Sequence, residues 1–155
     1  MPDVYRDNPN LKRANVQIQF TKEQVQEYAK CMEDPVYFTE NYIKIVSLDE
    51  GLIPFKLYEF QRQMMWTFHT ERFTICKLPR QSGKSTTIIA YLLHYALFNE
   101  RVNVAILANK AVTARDLLSR LQLAYEHLPD WLQQGVMTWN KGSLELENGS
   151  KILAS

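Results

Sequence analysis

The sequence predicts an α/β fold in which a parallel sheet is flanked by helices, and three observations point there. Short apolar runs at residues 73–78 and 102–108 alternate with helical patterns at 84–99 and 110–128, the spacing of parallel strands joined by crossover helices. The pattern at 84–99 is apolar almost all round, through Ile88, Ile89, Leu92, Leu93, Ala96 and Leu97, as a helix covered on several sides must be. The composition, 46% apolar, 12% aromatic and 23% charged over 155 residues, is that of a globular domain and excludes a disordered or collagen-like chain. A domain of this length buries roughly 70% of its unfolded surface, enough for a core without disulfides or metals.

Each element has a local signal. Residues 1–20 are polar, with Pro2, Pro9 and several Asn, and read as a loosely ordered lead-in. Thr21 with Gln24 forms a capping-box pattern that opens a helix to about residue 32. Asp34-Pro35 supplies an N-cap and a first-turn proline for a second helix to about residue 43. Residues 44–48 predict a short strand, closed by Asp49-Glu50-Gly51 and Pro54, and a helix over about 58–69 follows with Phe60, Met64, Met65 and Phe68 on its apolar side. After Pro129 come three alternating runs, 136–140, 143–147 and 150–154. They are separated by Lys141-Gly142 and Asn148-Gly149, the latter a type I′ hairpin signal. No internal repeat or low-complexity segment interrupts the chain.

The net charge of +1 gives no reason by itself to expect a nucleic-acid partner. Its distribution says more: residues 1–50 carry a net −3, residues 51–115 a net +6 and residues 116–155 a net −2. A basic middle third suits either a solvated face or an anion site. Cys31 and Cys76 stand far from any second cysteine or histidine at ligand spacing, and Cys76 in its apolar run reads as a buried, inert thiol. His69, His94 and His127 are isolated from one another, so no zinc site is expected. With no apolar leader and no stretch approaching 18 apolar residues, a cytoplasmic protein is expected.

The chemistry concentrates in Leu78-Pro79-Arg80-Gln81-Ser82-Gly83-Lys84-Ser85-Thr86, which ends as a P-loop does, in Gly-Lys-Ser. Backbone N–H groups at the start of a helix have no partner within it and would cradle phosphates. Lys84 would reach the β- and γ-phosphates as a point charge, Ser85 would ligate Mg²⁺, and only a small residue suits the close approach at Gly83. The strict pattern has Gly where this chain has Leu78, so the flanking strand, helix and neighbouring strand carry the assignment. Arg80 is either a surface cation or a cis-acting arginine that neutralises charge on the γ-phosphate. Upstream, Gln61 offers the donor and acceptor needed to read an adenine edge, and the neighbouring Phe60 could stack on the base. Arg62, Arg80 and Lys84 together are expected to surround the phosphates. The stretch Lys44 to Glu50 mimics a Walker B strand, but it precedes the loop in chain order and reads as a turn.

These residues together resemble the start of the large terminase subunit of tailed bacteriophages, above all the large contractile-tailed ones. The resemblance lies in the variant loop Pro79 to Thr86 with its Arg-Gln, in Phe60-Gln61-Arg62 upstream, in Ala105 to Ala111 followed by Ala114, and in Trp139-Asn140-Lys141-Gly142 with Leu146 to Ser150. Tyr42-Ile43-Lys44 and Gly51 to Phe55 add to it, so that about residues 35–155 are covered. The resemblance implies a P-loop NTPase fold of the RecA-like, ASCE type, with a helical segment over 1–50, the N-terminal part of the ATPase domain over 51–155 and an antiparallel hairpin region at the C-terminal end. It implies a packaging motor that hydrolyses ATP to drive double-stranded DNA into a procapsid and cuts concatemers with a C-terminal nuclease. Arg80 and Lys84 would then be catalytic, and Phe60, Gln61, Gln81, Ser82, Gly83 and Thr86 would join them and Ser85 around Mg²⁺ and ATP. The implied partners are DNA, the portal protein and the small terminase subunit, in a homo-oligomer on the portal within the host cytoplasm.

The family's Walker B strand would follow the segment that resembles residues 148–152. None of Glu100, Asp116, Glu126, Asp130, Glu145 and Glu147 ends a buried apolar run, so the chain reads as a partial sequence, expected to bind nucleotide without turning it over. A helicase or restriction-translocase motor domain would share the glutamine and the loop, and would be told apart by a second motor domain in place of a nuclease. A non-enzymatic nucleotide- or DNA-binding module complete at this length would unfold cooperatively.

Overall fold

The computed structural model describes residues 3–155, and the chain enters it as a two-stranded antiparallel ribbon, β1 (Val4–Tyr5) and β2 (Asn8–Lys12). The expected loose lead-in is thus regular structure over much of its described part, residues 1 and 2 lying outside the described residues. The cause is a distant side chain that polar composition does not reveal. The buried Gln133 accepts the Lys12 N–H at 3.0 Å and donates to the carbonyls of Asn10 at 2.9 Å and Tyr125 at 3.0 Å. Leu11, on the same ribbon, is part of the core.

The two helices that follow start where their caps predict. For α1 (Lys22–Glu33), Thr21 Oγ1 accepts the Gln24 N–H at 3.2 Å, and Gln24 Oε1 accepts the Thr21 N–H at 3.0 Å. For α2 (Pro35–Tyr42), Asp34 Oδ1 accepts from Val36 and Tyr37 at 2.9 and 3.0 Å, with Pro35 in the first turn. The Glu27 carboxylate ties α1 to α2 by accepting the hydroxyls of Tyr37 and Tyr42, each at 2.8 Å. These bonds, that of Tyr37 first, hold the Glu27 carboxyl below its ordinary range.

Next come an antiparallel hairpin, β3 (Lys44–Ser47) with β4 (Gly51–Pro54), and the helix α3 (Glu59–Thr70). Asp49 and Glu50 lie in the hairpin turn, where Ser47 Oγ accepts their N–H groups at 3.3 and 3.4 Å. The apparent Walker B stretch is therefore a hairpin. Met64 and Met65 of α3 are buried, whereas Phe60 is exposed.

The apolar run at 73–78 forms no strand, contrary to expectation. Phe73 and Ile75 are 84% and 96% exposed, and Cys76 is only half-buried. Hydrophobicity favours burial of such a run, but a strand also needs a hydrogen-bonding neighbour, and no described strand pairs with it. Cys31, by contrast, is fully buried, and burial pushes its thiol up to about 12.

Past this run, α4 (Lys84–Phe98) and α5 (Ala111–Glu126) pack against each other and flank a four-stranded sheet of β5 (Asn103–Ile106), β6 (Val136–Trp139), β7 (Ser143–Leu146) and β8 (Lys151–Ala154). Its order is β5-β8-β7-β6. Only β5 and β8 are parallel, in register from Asn103 with Lys151 to Ile106 with Ala154, and the rest is antiparallel. The fold is α/β with a mixed sheet rather than a purely parallel one. Leu93 and Leu97 of α4, Leu118, Leu121 and Tyr125 of α5, and Leu144, Leu146 and Ile152 of the sheet form one core with Phe38 of α2. The turn after β7 is not type I′: Gly149 takes φ +84°, but Asn148 does not share a positive φ. Asn148 is held by its side chain, whose Nδ2 donates to the Ala96 carbonyl at 2.8 Å while Oδ1 accepts the Ser150 N–H at 3.0 Å. Among the described residues no helix is long and apolar enough to cross a membrane.

His94 makes this core pH-sensitive. Its Nε2 lies 2.7 Å from the Cys31 carbonyl, which can only accept, so Nε2 carries the proton of a neutral ring. Burial among Phe38, Phe98 and Tyr91 lowers its pKa to about 4 from the ordinary 6.5. The unfolded chain therefore takes up a proton near pH 6.5 that the folded chain refuses until about pH 4, and stability falls as pH drops through that window. Denaturant melts at pH 7 and pH 5 should differ by about 2 kcal/mol from this group alone. A His94→Gln variant should lose that part of the difference.

Candidate functional site

The loop at 79–86 is shaped by two residues in the left-handed region, Gln81 at φ +58° and Gly83 at φ +75°. Gly83 is also the N-cap of α4, and having no side chain it leaves the first N–H groups of that helix without a side-chain cap. Thr87 fastens the turn from inside, its N–H and Oγ1 both reaching the Gly83 carbonyl at 3.0 and 2.8 Å. Lys84 and Ser85 thus open α4 at the mouth of a cavity of about 420 Å³, lined by residues 79–86 and Arg120. Arg80 and Lys84 form no ion pair with another described residue.

A second and larger cavity, about 990 Å³, adjoins the loop and shares Pro79, Gln81, Ser82, Gly83 and Thr86 with the first. Its remaining wall comes from the β3–β4 hairpin, through Ile45, Glu50 and Ile53, and from the start of α3, through Tyr58, Phe60 and Gln61. The Tyr58 and Phe60 rings lie nearly parallel, 11° apart with centroids separated by 6.0 Å. The apolar cavity, with the rings of Phe55, Tyr58 and Phe60, and the smaller one with three cations meet at the loop.

Gln61 stands in the wall of the larger cavity and reaches the loop. It is 2% exposed, its Oε1 accepts the Tyr58 N–H at 2.8 Å, and its Nε2 points to the Ser82 carbonyl at 3.5 Å. The carbonyl end of the amide is thereby committed to the start of α3. The small residue required at Gly83 is explained by the same contact, since a Cβ there would stand 2.5 Å from Gln61 Nε2. Ser82 Oγ is buried without a hydrogen-bond partner.

Of the residues expected around the phosphates, the structure gathers Arg80 and Lys84 with Gln81, Ser82, Gly83, Ser85 and Thr86, and brings Phe60 and Gln61 to the adjoining cavity. It does not bring Arg62. That guanidinium is held by Glu40 of α2 at 2.7 and 2.9 Å and lines neither cavity, because a carboxylate on the packed neighbour helix captures it. Arg120, a residue of the acidic last third that no local motif singles out, lines the smaller cavity.

The comparison with known proteins bears on the family of the chain. The family model described as "Terminase large subunit, T4likevirus-type, N-terminal" matches residues 75–155, more than half of the chain and the part that begins just ahead of the loop. The chain belongs to the T4-like family of terminase large subunits and corresponds to their N-terminal region.

Proposed function

We propose that the loop at 79–86 is a P-loop that binds ATP with Mg²⁺, and that this chain is the nucleotide-binding part of a motor that packages phage DNA. The observation that carries the reading is the left-handed turn at Gly83, which delivers Lys84 and Ser85 to the uncapped start of α4 between two connected cavities. Anions are favoured at such a helix start by its unpaired N–H groups and the helix dipole. Lys84 places a positive charge on the β- and γ-phosphates, and Arg80 adds a second where charge builds up during phosphoryl transfer. Ser85, at the start of α4 beside Lys84, would offer its hydroxyl to Mg²⁺, which when bound would neutralise the phosphate oxygens. Phe60 and Tyr58 offer their faces to the base, and Gln61 ties the base side to the phosphate side.

In the terminase setting, ATP hydrolysis would move double-stranded DNA through a portal, with the small terminase subunit as a further partner and a nuclease in the same subunit. Titration of Mg·ATP into the chain tests the proposal. Saturable binding, displaced by ADP, is the expected result, and no binding at millimolar Mg·ATP overturns it.

A further inference from the structure

We propose that Arg120 is a phosphate ligand of this site, supplied from a different element than the loop that binds the rest of the nucleotide. The proposal rests on the nucleotide reading of the 79–86 loop. Among the described residues Arg120 is the one from outside that loop that lines the 420 Å³ cavity, and it also lines a smaller cavity of about 230 Å³ that shares Thr86 with the first. It stands on α5, whose place against α4 is set by the buried Leu118 and Leu121, so the guanidinium is carried by a packed helix.

Its present partner is weak. Arg120 Nη2 meets the Asp116 carboxylate at 2.9 Å, one turn back on the same helix, with both side chains more than half exposed. Such a surface pair adds little to stability, so the guanidinium can exchange a carboxylate oxygen for a phosphate oxygen at small loss. A planar guanidinium fork matches phosphate geometry with two parallel N–H donors, which an ammonium cannot do. Arg120 therefore couples nucleotide occupancy to α5, the helix that connects β5 to the rest of the sheet.

Calorimetric titrations with Mg·ATP, inorganic tripolyphosphate and adenosine test this in the parent chain and in Arg120→Ala, Arg120→Lys, Asp116→Asn and Lys84→Ala. Arg120→Ala should weaken Mg·ATP and tripolyphosphate about tenfold while leaving adenosine within about twofold of the parent. Arg120→Lys should recover only part of the loss. Asp116→Asn removes the competing carboxylate and should tighten tripolyphosphate by about two- to threefold, with the fold of each variant checked by circular dichroism. If Arg120→Ala and Asp116→Asn bind tripolyphosphate like the parent while Lys84→Ala binds it weakly, Arg120 is not a ligand and the loop reading stands. If the parent fails to bind, or Lys84→Ala binds like the parent, the loop reading falls and takes this inference with it.

Discussion

Replacing Lys84 by Ala is expected to weaken Mg·ATP binding by about 30- to 100-fold, the loss of a charge-assisted contact of roughly 2–3 kcal/mol. Lys84 follows the left-handed turn at Gly83, stands at the first position of α4, and is not neutralised by any described carboxylate. The loss should appear in affinity and not in folding, because the side chain holds no other element. Lys77→Ala is the fitting control: the residue is exposed, seven positions earlier, and lines neither cavity at the loop. Equal losses in the two variants would mean that the effect is one of overall charge and not of position.

The second large effect is on the joint between Gly83 and Gln61. Gly83→Ala forces an L side chain into a left-handed conformation, at roughly 1–2 kcal/mol, and pushes a Cβ to 2.5 Å from Gln61 Nε2. Gln61 is buried and cannot retreat without releasing the Tyr58 N–H, which adds about 1–3 kcal/mol for an unpaired donor. A total destabilisation of about 2–5 kcal/mol is expected, together with weaker nucleotide binding. Combining it with Gln61→Ala should be less than additive, since the clash then has no second partner, leaving only the backbone strain of the alanine. Strict additivity in the double-mutant cycle would show that residues 61 and 83 do not touch.

How far the sequence foretold this arrangement depended on whether the signal was local. The caps at Thr21 and Asp34 and the sharp turn at Gly83 involve residues within three or four positions of each other, and all three lie where the pattern put them. Partners set by tertiary packing were not legible. Arg62 looked as eligible for the phosphate site as Arg80, and only the packing of α2 on α3 shows that Glu40 takes it. Arg120 carried no motif, since its relevance depends on α5 crossing α4 beside the loop. The run at 73–78 shows the complementary failure: hydrophobicity can be read from six residues, whereas the neighbour that would make them a strand cannot. Gln133 is the same lesson in a polar residue, one side chain organising a ribbon more than a hundred positions away.

The central claim is that nucleotide phosphates sit on the backbone of this loop. Amide proton–nitrogen correlation spectra recorded during an Mg·ATP titration test it most directly, because they report the N–H groups themselves. The account predicts the largest shifts at Gly83, Lys84, Ser85 and Thr86, with smaller ones at Gln61 and Arg120. Shifts confined to another face of the protein, or none at saturating Mg·ATP, would contradict it.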